Sequence, residues 1–96
     1  MTLIKLLNNV KDEESFLKFL RALAEDKEEE NIKEKENPSP PYSDGQNGWV
    51  TDALDEYLYS CHAWACSSIN GLPLMPKEKN PWRRIAEILH AGKIIE

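Results

Sequence analysis

The sequence predicts an all-α single domain of three main helices, with a short helix or turn ahead of them. Three observations carry that reading. The stretch Asn80-Pro81-Trp82-Arg83-Arg84-Ile85-Ala86-Glu87-Ile88-Leu89 reads as a capped helix start followed by one apolar face. Two earlier segments also place apolar residues at helical spacing, and no run alternates as a half-buried strand would. Asn80 suits the N-cap, where its side-chain oxygen accepts an orphan N–H, and Pro81 suits the first helical position, where a missing N–H costs nothing.

In chain order, Leu3, Ile4, Leu6, Leu7 and Val10 make a short apolar edge. Asp12 starts the first main helix, with Glu13 and Glu14 in its first turn, where carboxylates suit the dipole. At 100° per residue Phe16, Phe19, Leu20, Leu23 and Ala24 share an arc, widened by Leu17. The pattern fades into Lys27-Glu28-Glu29-Glu30, so this helix is expected to fray in a solvated charge run. Residues 37–48 hold three prolines and two glycines, which forbid a regular helix and predict a flexible loop. Its Pro38-Ser39-Pro40-Pro41 segment lacks the adjacent basic anchor of a polyproline ligand.

A second helix is expected from about Val50 to Asn70, closed by Gly71 with Pro73 just beyond. Its apolar arc takes in Val50, Ala53, Leu54, Tyr57, Leu58, Cys61, Trp64, Ala65 and Ile69. Residues 71–79 connect to the closing helix, where Trp82, Ile85, Ala86, Ile88, Leu89 and Gly92 share a face. Packing these arcs together predicts one core cluster of Leu20, Leu23, Leu58, Trp64, Ile85 and Leu89.

Ninety-six residues suit one modest core. Twelve basic against 17 acidic side chains give a net charge of −5, which argues against phosphate-neutralising nucleic-acid binding and leaves a basic protein partner easier to accommodate. No stretch approaches the roughly 18–20 apolar residues that span a bilayer, and the first ten residues lack a signal-peptide pattern, so a soluble, cytoplasmic chain without membrane contact is expected. Cys61 and Cys66 are too few for a disulfide scaffold and too far apart on a helix to bridge.

One grouping has the residue types of a catalytic site. Asp55, Tyr59, His62 and Cys66 form an axial stripe opposite the expected core arc. A thiol beside an imidazole suggests an activated nucleophile, but no oxyanion hole is apparent and an exposed helix face does not exclude water. A solvated or partner-covered face explains the stripe with fewer demands. Cys61, His62, Cys66 and His90 lack the close ligand pairs of a structural zinc site, so neither metal nor cofactor is expected. Asp52, Asp55 and Glu56 lie where a helix dipole favours carboxylates, with no phosphate loop or second acidic motif beside them.

Of the three tryptophans, Trp64 and Trp82 fall in or beside apolar arcs and are assigned to the core. Trp49, after the loop, either staples a helix start or stays exposed as an interface anchor. Arg83 and Arg84 lie off the core arc and are expected to pair with the acidic helices of the chain rather than with an acidic partner.

The order of three elements resembles a family of small, uncharacterised bacterial helical proteins, a domain of unknown function. They are Val10 with Asp12-Glu13-Glu14-Ser15-Phe16-Leu17-Lys18-Phe19-Leu20-Arg21-Ala22-Leu23, then Leu54-Asp55-Glu56-Tyr57-Leu58 leading to Ala63-Trp64, then Pro81 to Leu89. Residues 28–48 depart from the pattern. The resemblance implies a compact helical domain and brings no catalytic residue. Small acidic proteins of this type are often stoichiometric binders such as immunity proteins, an analogy of class alone. The expectation is therefore a non-catalytic protein-interaction module of immunity type, with Trp49, Asp52, Asp55, Glu56, Tyr59 and His62 as candidate binding residues. The competing readings are a thiol or hydrolytic enzyme using His62 and Cys66, and a structural oligomer.

Overall fold

Thr2 opens the first ordered element: its hydroxyl accepts the Lys5 N–H, and helix α1 runs Leu3–Asn8. A computed structural model describes residues 2–95, which fold as four helices without a strand among them. Asp12 caps α2 (Glu13–Glu36) in a reciprocal box: its carboxylate accepts the Ser15 N–H while Ser15 Oγ accepts the Asp12 N–H. α3 spans Leu54–Ser67 and α4 spans Pro81–Ile94. Asn80 Oδ1 accepts the Trp82 and Arg83 N–H groups at 3.0 and 3.3 Å, as its place before Pro81 predicts.

α2 does not fray at Lys27 but continues to Glu36. The charge run is not uniformly solvated, because Phe19, Leu23, Asp26, Glu30 and Lys33 step by four and three residues along one face. The stripe that starts apolar continues charged; its charged half holds Asn47 and Trp49, and Lys27 and Glu34 beside it hold Asp52 and Ser39. α3 begins later than expected because Val50 lies in a bend and donates its N–H to the Lys93 carbonyl at 3.0 Å. Thr51 then organises the entry, with its hydroxyl accepting the Ala53 N–H and donating to Glu56. The regular helix stops at Ser67, and a turn through Asn70 leads to Gly71 at φ +90°, a left-handed conformation that glycine adopts without strain.

α1, α2 and α3 each pack against α4, and α1 also packs against α2. No Cα of α2 comes within 8 Å of one in α3. The core is Leu7, Val10, Phe19, Leu23, Trp49 and Ala86, supported by Leu3, Leu6, Phe16, Tyr57, Trp82 and Leu89. This corrects the expected six-residue cluster: Leu23 is buried and Leu89 packs against the core, but Leu20, Leu58 and Ile85 are 39%, 53% and 45% exposed. The cause is that small residues set the α3–α4 crossing. A Cβ at Gly92 would lie 2.2 Å from Cys61 Sγ and 2.9 Å from Tyr57 Cε1, so the helices meet along a narrow line there. α3 has α4 as its sole helical neighbour and covers only part of its apolar arc.

Candidate functional site

At the charged end of α2 the most enclosed group is the Glu30 carboxylate, whose residue is 0% exposed. Its Oε1 accepts the backbone N–H groups of Asn47 and Trp49 at 3.0 and 3.2 Å, and its Oε2 accepts Lys27 Nζ at 2.7 Å. Gly45 permits the approach, because a Cβ there would fall 2.1 Å from Glu30 Oε1. Asp26 Oδ2 accepts Trp49 Nε1 at 2.8 Å and pairs with Lys93 Nζ at 2.7 Å. Lys27 Nζ and Lys93 Nζ each lie within 6 Å of the indole centroid, at 5.6 and 5.7 Å. Burial opposes charge on Lys27, yet its bonds to Asp52 and Glu30 prevail and raise its pKa above the ordinary lysine value. Glu34 binds Ser39 and the Gln46 N–H, bonds that hold its carboxyl below the usual range.

This network corrects the tryptophan assignments. Trp49 is the buried one, inside the core rather than on an interface, while Trp82 is half-buried against the core as assigned and Trp64 is half-buried outside that cluster. Trp49 follows a loop that looks free by composition but is tied by polar bonds to a helix. The signal was present in the four-three spacing of Asp26, Glu30 and Lys33, obscured because the surrounding residues are also charged.

A second feature is an open apolar groove. Because the α2 and α3 backbones stay apart, Leu20, Leu23 and Ala24 of α2 face Ala53, Leu54 and Tyr57 across a space of about 270 Å³. Trp49 closes part of it, and Lys27 and Asp52, joined as an ion pair, stand at its edge. Leu54 is 72% exposed and Leu58 lies one turn on, so the two form an apolar ridge beside the groove. Tyr57 spans inward and donates its hydroxyl to the Leu89 carbonyl at 2.9 Å; burial raises its pKa well above the ordinary phenol value.

On the far side of that ridge Asp55, Tyr59 and His62 line a shallow depression with Leu58. Cys66 Sγ lies 3.6 Å from His62 Nε2, and both residues are exposed. The six candidate binding residues thus divide: Trp49 and Asp52 belong to the groove, Asp55, Tyr59 and His62 to the depression, and Glu56 to the Thr51 turn. Cys61, by contrast, is buried against Gly92, and burial pushes its thiol pKa up, which makes it a poor nucleophile.

Arg83 and Arg84 pair within the chain, mostly with carbonyl and hydroxyl oxygens, and Arg83 also lies 3.9 Å from the Glu87 carboxylate. Arg83 donates to the Asn8 carbonyl at 2.9 Å, and Arg84 to Ser68 Oγ and the Ala65 carbonyl, with its guanidinium 5.1 Å from the Trp64 centroid. Beside Arg84 a cavity of about 200 Å³ is lined by Leu7, Leu72, Met75, Glu87, His90 and Ile94 among others. Burial raises the Glu87 pKa and lowers that of His90, the latter helped by Lys93. Among the described residues no three His, Cys, Asp or Glu side chains are grouped to hold a metal ion, and no helix is long and apolar enough to cross a membrane. Comparison of the chain with protein-family models, with curated proteins and with solved structures finds no match.

Proposed function

We propose that this chain is a non-catalytic protein-interaction module that receives an apolar segment of a partner protein in the groove between α2 and α3. The observation that carries the proposal is the exposure of Leu20 and Leu54 on a concave apolar surface, with Leu58 exposed one turn further along α3, where a folded monomer gains nothing from leaving leucines in water. Of the exposed carboxylates on this part of the chain, Asp52 lines the groove while Asp55 and Glu56 follow within the first turn of α3, and the chain carries a net charge of −5. The occupant that matches is an amphipathic segment with basic flanks, steered by charge and held by apolar burial. A stoichiometric binder of immunity type is the concrete form of this proposal, and the family resemblance brings no catalytic residue to set against it.

Position-specific photo-crosslinking tests the reading. A crosslinker at Leu54 or Leu58 should capture a partner that one at Glu13 does not, and reversing Asp52, Asp55 and Glu56 to lysine together should weaken that capture. Capture independent of position, or indifferent to charge reversal, would contradict it. The 3.6 Å Cys66–His62 contact is the one observation favouring a thiol enzyme. Under the binding account His62→Ala and Cys66→Ala leave cellular activity intact; loss of activity in either, with helix content unchanged, would favour the enzyme.

A further inference from the structure

Glycine directly follows asparagine twice, at Asn47-Gly48 and Asn70-Gly71. In such a pair the glycine backbone nitrogen can attack the asparagine side-chain carbonyl carbon, because no Cβ on the second residue obstructs the approach. The new C–N bond closes a cyclic imide, and the side-chain nitrogen leaves as ammonia, taking the proton of the attacking amide. Water then opens the ring at either carbonyl, giving aspartate or isoaspartate. The only co-reactant is water.

The fold treats the two pairs differently. Asn47 is held at both ends of its amide: Nδ2 donates to the Asp26 carbonyl at 2.9 Å, and Oδ1 accepts Lys33 Nζ at 2.8 Å. Its backbone N–H is committed to the buried Glu30, and the Gly48 N–H donates to the Gly45 carbonyl at 2.8 Å. Turning the Asn47 side chain toward the Gly48 nitrogen would break these bonds together. Asn70 is exposed in the turn after α3, and among the described residues no hydrogen bond holds its side chain. The bond opposing attack there is a single turn contact, from the Gly71 N–H to the Ser68 carbonyl at 2.9 Å.

We infer that Asn70 is a site of spontaneous deamidation in the folded protein, while tertiary contacts protect Asn47. The product adds a negative charge just beyond the C-terminus of α3, the end at which the helix dipole disfavours it. Isoaspartate also lengthens the backbone immediately before Gly71, which lines the cavity beside Arg84.

The test incubates the folded protein and a urea-unfolded sample side by side at mildly alkaline pH. Fragment-ion mass spectrometry locates the mass gained when –NH₂ becomes –OH. The expected result is conversion at Asn70 alone in the folded sample and at both asparagines, at comparable rates, in urea. The Asn70→Gln variant should remain uncharged at that position when folded. Conversion at Asn47 as fast as at Asn70 in the folded protein would overturn the inference. So would no conversion at Asn70 over the period in which the unfolded chain reacts, or an Asn47 that stays inert even in urea.

Discussion

Glu30 and Leu20 lie on the same helix, and the fold encloses the carboxylate while leaving the leucine 39% exposed. The difference comes from what stands opposite each. Glu30 faces a loop that supplies two N–H donors and lies beside Lys27, so its charge is satisfied without water. Leu20 faces a groove that α3 does not close. Burial here follows the availability of a partner more closely than it follows residue type. The charged end of α2 is accordingly a structural anchor, and the apolar groove is the surface that the other helices leave uncovered.

The largest expected effect is at the anchor. Glu30→Ala orphans two backbone donors and takes from Lys27 one of its two carboxylate partners, and removing one partner from a buried ionic network costs about 3–5 kcal/mol. Urea unfolding should register that loss, with Glu30→Gln less damaging because it keeps an acceptor. Gly45→Ala comes next. The added methyl must displace the Glu30 carboxylate, an overpacking cost of about 1–3 kcal/mol.

The groove should respond in the opposite sense. The double change Leu54→Ser and Leu58→Ser should shift stability by no more than about 0.5 kcal/mol per site, as at other exposed positions. The same change should weaken partner capture by about tenfold or more, the effect of losing an interface anchor. A large stability loss would mean that the ridge is core after all.

The smallest effect is a pH dependence from His90, which packs 6.5 Å from Phe19, centroid to centroid. Burial lowers its pKa, so on acidification the unfolded chain takes up this proton first. Stability from this group is present above the unfolded value near 6.5 and declines as pH falls through it. Glu87 acts oppositely, since burial raises its pKa and its contribution declines as pH rises from about 4.5. His90→Gln should flatten the slope near pH 6.5 in urea-midpoint measurements and leave the lower-pH slope in place.

The local features were legible because their chemistry is local. Asn80 before Pro81, Asp12 before two glutamates and Gly71 after α3 each act within a few residues, and each stands where the sequence puts it. The all-α class was legible for the same reason. The core partners were not, because an apolar arc tells which face seeks burial and not which helix will meet it; Leu58 and Ile85 share arcs with buried neighbours and stay exposed. The anchor was hidden by composition. A glutamate satisfied by backbone N–H groups and one in solvent look identical in a run of acids, and only the register continuing from Phe19 and Leu23 separates Glu30 from Glu28 and Glu29. The stripe of Asp55, Tyr59 and His62 could be read as a shared face, since helical spacing alone decides it.

Native-state amide hydrogen exchange tests the anchor most directly. The amides of Gly45, Asn47, Gly48 and Trp49 donate to Trp49, Glu30, Gly45 and Glu30 respectively, and they should exchange nearly as slowly as the central amides of α2. Glu30→Ala should release them together while leaving α3 and α4 protected. Exchange at Asn47 and Trp49 as fast as at Tyr42 and Asp44 would contradict the account and restore residues 37–48 to a free loop.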